Sequence, residues 1–193
     1  MSTVTGPHDF LRDDPVMEPL VAEYGELSIG PAADPFERLV VSVVRQQLST
    51  ASADAIEDRL FDSFDVTPTA LRDVPVAKSR DVGVSERKGQ TIRNIATAFD
   101  ERNYSRESFG EHSNEAVIDE LTDITGIGPW TAKMFCMFAL GREDVFPVED
   151  LGIRKGMRTV FEGDMERGAM VARAERWQPY RSIASLYLWR VVD

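Results

Sequence analysis

Only one cysteine, Cys136, stands in the 193 residues. One thiol cannot form an intramolecular disulfide, complete a cysteine-based zinc site or hold a four-cysteine iron–sulfur cluster. No apolar run approaches the roughly 18 residues that a membrane helix needs. The N-terminal "MSTVTGPHDF" lacks a basic region followed by an apolar one, so no secretory signal is expected and the expected setting is the cytoplasm. Convincing strand alternation is also missing. "VVSVV" has a strand-like composition but sits inside a longer 3.6-residue pattern, which argues for helix. The two histidines, His8 and His112, lie outside every recognisable block and receive no role.

Lysine is scarce: four of the 22 basic residues, set against 33 acids and a formal net charge of -11. An acid-rich, lysine-poor surface suits a protein of a very salty cytoplasm, because large net charge keeps it soluble and salt screens its self-repulsion. The acidity is uneven. Residues 1–35 carry seven acids and one base, whereas 126–158 carry five bases and four acids, and 78–93 carry five bases and two acids. A hydrophobic content of 42% is enough for a real core and too high for a disordered chain.

Almost every segment has helical periodicity. Phe36, Leu39, Val40, Val43, Val44 and Leu48 make one apolar face over 36–48, opened by Asp34-Pro35. Further helices are expected over 52–64, 86–102, 114–124, 130–140, 150–161, 166–177 and 180–191. The first 30 residues, with Pro7, Pro15 and Pro19, give the weakest pattern.

The stretch "LTDITGIGPWTAKMF" (121–135) carries the first chemical signal. Gly126 and Gly128 flank Ile127, and Pro129 occupies a first-turn position where its missing N–H costs nothing. The result is a helix–hairpin–helix over 114–140. A Gly-x-Gly turn opening a helix lets backbone N–H groups approach a phosphate, without reading base sequence. Alone, the same pattern suits any tight interhelical turn. Twenty-two residues after Gly128 stands Asp150, within "DVFPVEDLGIRKG", a residue type that also suits the N-cap of a following helix.

Together these blocks resemble the helix–hairpin–helix (HhH-GPD) DNA glycosylase superfamily, most nearly its 3-methyladenine DNA glycosylase II branch. The resemblance runs over roughly residues 9–191 and includes "DPFERLVVSVVRQQLS", "GVSERKGQTIRNIA" and "ERWQPYRSIASLYLWR" in the family's order. It implies an all-α, two-lobed core over 36–193, with residues 1–35 packing on it and the hairpin at the interlobe cleft. The implied activity is base excision repair by a monofunctional glycosylase. Such an enzyme flips an alkylated purine such as 3-methyladenine out of double-stranded DNA and hydrolyses its N-glycosidic bond. A monomer is expected.

By the same resemblance Asp150 is the catalytic carboxylate, with Glu149 the second choice. Trp130, Met134 and Trp189 line the base pocket, where aromatic faces suit a cationic base. Gln47, with Leu48 beside it, fills the gap left by the flipped nucleotide. Gly126, Ile127, Gly128 and Thr131 meet the DNA backbone. In "SERKGQ", Lys88 with Arg87 is a second candidate phosphate contact, and a charged helix start on the surface fits those residues equally well. The carbonyls of Thr122, Ile124 and Ile127 would bind a sodium or potassium ion; no cofactor for catalysis is implied. Bifunctional relatives that also cut the strand carry a lysine two residues after the second hairpin glycine, to attack the sugar as an amine. Trp130 stands there, and Lys133 lies three residues further, so water is the expected nucleophile. Two other readings fit: a non-catalytic hairpin module that only binds DNA, and a glycosylase for a deaminated or oxidised base.

Overall fold

The computed structural model describes residues 6–192. Part of the reading of the N-terminus falls on residues 1–5, outside that range. Among the described residues there are twelve α-helices, two 3₁₀ stretches and no strand. Among these described residues no helix is long and apolar enough to cross a membrane. In order, the helices are α1 Pro7–Arg12, α2 Glu18–Tyr24, α3 Pro35–Arg45, α4 Thr50–Ser63, α5 Pro68–Asp73, α6 Glu86–Arg102 and α7 Arg106–Gly110. They continue with α8 Asn114–Thr122, α9 Pro129–Phe138, α10 Leu151–Val160, α11 Arg167–Ala174 and α12 Arg181–Arg190. The 3₁₀ stretches are Val76–Val82 and Glu175–Trp177. The chain forms two compact units, Pro31–Leu140 and the discontinuous Met1–Gly30 with Gly141–Asp193.

In the continuous unit, α3 starts where Asp34 turns its carboxylate onto the N–H groups of Phe36 (2.7 Å) and Glu37 (3.1 Å). Such a cap contributes about 1 kcal/mol. The apolar stripe Phe36, Leu39, Val40, Val43 and Val44 is buried, as its spacing requires. It packs with Ile92, Ile95 and Phe99 of α6 and with Phe135 of α9 in the same unit. Phe99 organises an aromatic cluster, meeting Phe36 and Tyr104 edge-on at 5.3 Å and Phe135 at 6.3 Å between centroids. Burial pushes the Tyr104 hydroxyl up to about 12.

Helix α3 is shorter than its apolar pattern predicts. It stops at Arg45, and Gln47 adopts a left-handed φ of 57°. Gln46-Gln47-Leu48 are therefore a loop, with Leu48 40% exposed instead of closing the apolar face.

In the discontinuous unit, α1, α2 and the turn between them bury Leu11, Val21 and Met17 against Ile153, Met157, Trp177, Ile183 and Leu188. Helix α12 is pinned at both ends. At its start the Arg181 guanidinium grips Asp144 through two bonds (2.6 and 3.0 Å), and buried Ser182 accepts the Val145 N–H at 2.8 Å. Further along, the Tyr187 hydroxyl donates to the Gly25 carbonyl (2.7 Å) and accepts the Leu27 N–H (3.2 Å).

Helix α10 lies on α12 at close range through Gly156, where a β-carbon would come 2.4 Å from the Leu188 carbonyl oxygen. Gly156→Ala should therefore force the two helices apart. A loss of about 1–3 kcal/mol is expected, as for other overpacked sites. In thermal unfolding each kcal/mol appears as a fall of roughly 2–4 °C in Tm for a chain of this size.

Candidate active site

Asp150 is the N-cap of α10, in extended conformation with φ -70° and ψ 134°. Its side chain does more than cap. Oδ1 accepts the Ile153 N–H at 3.1 Å and the Trp189 indole N–H at 2.9 Å. Two donors from two helices on one oxygen fix the carboxylate's rotamer and leave its direction no freedom to drift. Gly152 makes this possible: a β-carbon there would stand 2.8 Å from the Trp189 ring and 3.1 Å from its nitrogen. The loop that delivers Asp150 is braced as well. Arg154 Nη1 donates to the carbonyls of Val148 (3.1 Å) and Glu149 (2.5 Å), and the Asp150 N–H closes a turn onto the Pro147 carbonyl at 2.9 Å. Leu151, next in sequence, is 55% exposed.

The structure thus brings Asp150 and Trp189 together. Trp189 touches the carboxylate as well as offering a ring. Arg154, Gly152 and Leu151 are not among the residues to which the sequence points. Arg154 had a signal, since it lies four residues after Asp150, one helical turn on.

The other sequence candidates lie in the continuous unit. Helix α8 ends at Thr122, and the chain turns through Ile124 and Ile127 into α9. The Ile127 N–H bonds the Ile124 carbonyl at 2.9 Å, which uses one of that oxygen's two lone pairs. The two hairpin glycines are required for different reasons. Gly126 has a φ of 105°, and a β-carbon would collide with the Thr91 hydroxyl at 2.1 Å. Gly128 has an ordinary φ of -104° and open space around its missing β-carbon. It caps α9 without a side chain. Ile127 is buried beneath the turn. Trp130 is half-buried in the first turn of α9, with Met134 one turn on and 7% exposed.

Thr131 is only 2% exposed, and its hydroxyl accepts the Gln46 amide at 2.9 Å. That side chain holds the α3 loop to α9 within the unit. Lys88, read from sequence as a phosphate contact, turns inward. Its ammonium donates to the carbonyls of Val44 (2.8 Å) and Gln46 (2.6 Å), at the C-terminal end of α3. Burial lowers its pKa from the usual lysine value. Gln47 and Leu48 are exposed at the tip of this loop.

Comparison with known proteins gives the family. Residues 40–182 match the model of the HhH-GPD superfamily of base excision DNA repair proteins, and the chain belongs to that superfamily. It is 36% identical over 165 residues to a DNA-3-methyladenine glycosylase 1 of Schizosaccharomyces pombe, covering 81% of this chain and 72% of the relative. Among solved structures it resembles the S. pombe 3-methyladenine DNA glycosylase in complex with abasic DNA. There the TM-score is 0.85 at 31% identity, over 95% of each chain. A DNA-3-methyladenine glycosidase of Bacillus halodurans gives a TM-score of 0.77 at 32% identity, over 93% of this chain and 90% of the other.

The glycine asymmetry is testable in the free protein. Gly126→Ala combines a left-handed φ with a hard contact and should destabilise by about 1–3 kcal/mol. Gly128→Ala has neither fault and should stay within about 0.5 kcal/mol of wild type in urea unfolding. Equal losses at both positions would contradict this distinction.

Proposed function

We propose that the protein is a monofunctional DNA glycosylase that excises alkylated purines, 3-methyladenine foremost, from double-stranded DNA by hydrolysis. The observation that carries the reading is the Asp150 carboxylate, fixed through one oxygen by the Trp189 indole and the α10 N-terminus in a member of this superfamily.

In the reaction the bond between C1′ and the base nitrogen breaks, and its electron pair leaves with the base. Positive charge develops on the sugar. A fixed carboxylate beside C1′ stabilises that charge without having to reorganise, and its fixed orientation also directs a water to the opposite need: a C1′–O bond in place of C1′–N. The water's proton passes to Asp150 or to solvent. Alkylation makes the base a better leaving group, so protonation of the base is not demanded of any side chain. Trp130 stands where a strand-cutting relative would carry an amine, which supports water as the nucleophile.

In the continuous unit Trp130 and Met134 are the candidates to meet the flipped base, and in the discontinuous unit Trp189 is. Gln47, with Leu48, would occupy the vacated stack. Gly128, open on its missing β-carbon side, suits close approach of a phosphate to the first N–H groups of α9. The carbonyls of Thr122, Ile124 and Ile127 are hard oxygen donors of the kind that suits sodium or potassium. Such an ion would supply local positive charge toward that phosphate without added lysine. This choice of contacts fits a chain of net charge -11. Each Lys or Arg phosphate contact weakens steeply with salt, whereas backbone donors and base insertion do not share that penalty.

The test is release of 3-methyladenine from methylated duplex DNA in molar potassium chloride, with Asp150→Asn as the comparison. Wild type should release the base. The variant should lose about 10²–10³-fold in single-turnover rate, as when a preorganised electrostatic group is removed, while still binding DNA. A folded wild type that binds DNA but releases no alkylated base would remove this substrate class.

A further inference from the structure

Helix α6 meets both of the segments assigned above to DNA. Lys88 holds the carbonyls of Val44 and Gln46 at the end of α3. Thr91 lies against Gly126, leaving no room for a β-carbon. Asn94 donates its amide to the Thr125 carbonyl at 2.9 Å, on the hairpin. The three positions follow one another at i, i+3 and i+6, and span about 9 Å along the helix axis. Gln46 closes the circuit by bonding Thr131 at the far side of the hairpin. The loop and the hairpin therefore share one rigid ruler.

The loop needs such support. Gln47 is a non-glycine residue at a φ of 57°, a conformation that costs of order 1 kcal/mol and persists only where surroundings over-determine it. The last carbonyls of a helix otherwise have no intrahelical partner. A lysine reaching from 42 to 44 residues away in sequence supplies one, and places charge where the α3 dipole favours it.

We propose that Lys88 is a positioning residue for base flipping: by clamping the end of α3 it holds Gln47 and Leu48 in the register that inserts into the duplex, relative to the hairpin that grips the backbone. This rests on the wedge role given to Gln47 above. It departs from the sequence expectation for Lys88, because a clamp acts on insertion and a phosphate contact acts on affinity.

The experiment compares wild type, Lys88→Met and Lys88→Arg, each shown to be folded by thermal unfolding. Two readouts are used. One is the fluorescence rise of 2-aminopurine placed beside a tetrahydrofuran abasic analogue, which reports insertion without any excision. The other is affinity for undamaged duplex as a function of salt. Lys88→Met should lose most of the fluorescence rise and, on methylated DNA, lose about 10- to 100-fold in single-turnover release, the scale of a misplaced reacting group. Its affinity for undamaged duplex and its salt slope should match wild type. Lys88→Arg, which still offers donors to both carbonyls, should recover most of the signal.

A Lys88→Met variant with a full fluorescence rise would overturn the proposal. So would one whose affinity falls uniformly and whose salt slope is reduced by about one, the mark of a lost phosphate contact. Wild type that gives the rise but releases no base removes the proposed reaction and leaves the clamp readable. Wild type that gives no rise removes the wedge, and the clamp with it.

Discussion

One oxygen of the Asp150 carboxylate takes hydrogen bonds from the Trp189 indole and the Ile153 backbone, and the architecture of its unit is arranged around letting both occur. The indole reaches the carboxylate only because Gly152 has no side chain, and α12 lies close enough only because Gly156 has none. Helix α12 is held in turn by Arg181 on Asp144, by Ser182 against the 142–145 backbone and by Tyr187 on the Gly25–Leu27 segment. Those anchors come from parts of the chain more than 100 residues apart, which accounts for a unit assembled from both ends of the sequence. The role proposed for Asp150 requires a carboxylate that does not swing, and its rotamer is set by one backbone and one indole hydrogen bond.

The continuous unit solves a different problem with similar means. Its DNA-facing candidates are a loop tip and a backbone turn, neither of which has much local stability of its own. Both are tied to α6, the longest helix, whose inner face is buried through Ile92, Ile95, Ala96 and Phe99. Anchoring through polar contacts within the unit also suits an acidic protein, because it turns Lys88 onto backbone carbonyls and uses the neutral Asn94 for the hairpin. Lysine is rare in this chain, and one of the four is turned inward to close a helix.

Much of this was legible in the sequence, and the failures share a cause. Helix α6 has the bounds its periodicity gives, with Ser85 as a local N-cap. The Gly-Ile-Gly hairpin and the Asp150 cap were likewise local patterns. The apolar pattern runs three residues past the end of α3, because Gln46-Gln47-Leu48 can continue a helix; the contact at that end, Lys88 on the Gln46 carbonyl, comes from more than 40 residues on and leaves no local signal. Helices α1, α2, α5 and α7 have no clear periodicity in the sequence. Each has five to seven residues and is held by one or two core side chains such as Leu11, Val21, Leu71 and Phe109. Helices that short depend on tertiary packing rather than propensity. Trp189 was placed at the base, and its bond to a carboxylate 39 residues away carried no local signal.

The most direct test of the account is a double-mutant cycle on single-turnover base release, using Trp189→Phe and Asp150→Asn singly and together. If the indole acts by fixing the carboxylate, Trp189→Phe should cost about tenfold or more in the wild-type background and close to nothing once Asp150 is Asn, because residues that act as a unit are strongly non-additive. Equal losses in both backgrounds would show that Trp189 acts on the base independently, and that the Asp150–Trp189 hydrogen bond is not what sets the carboxylate for catalysis.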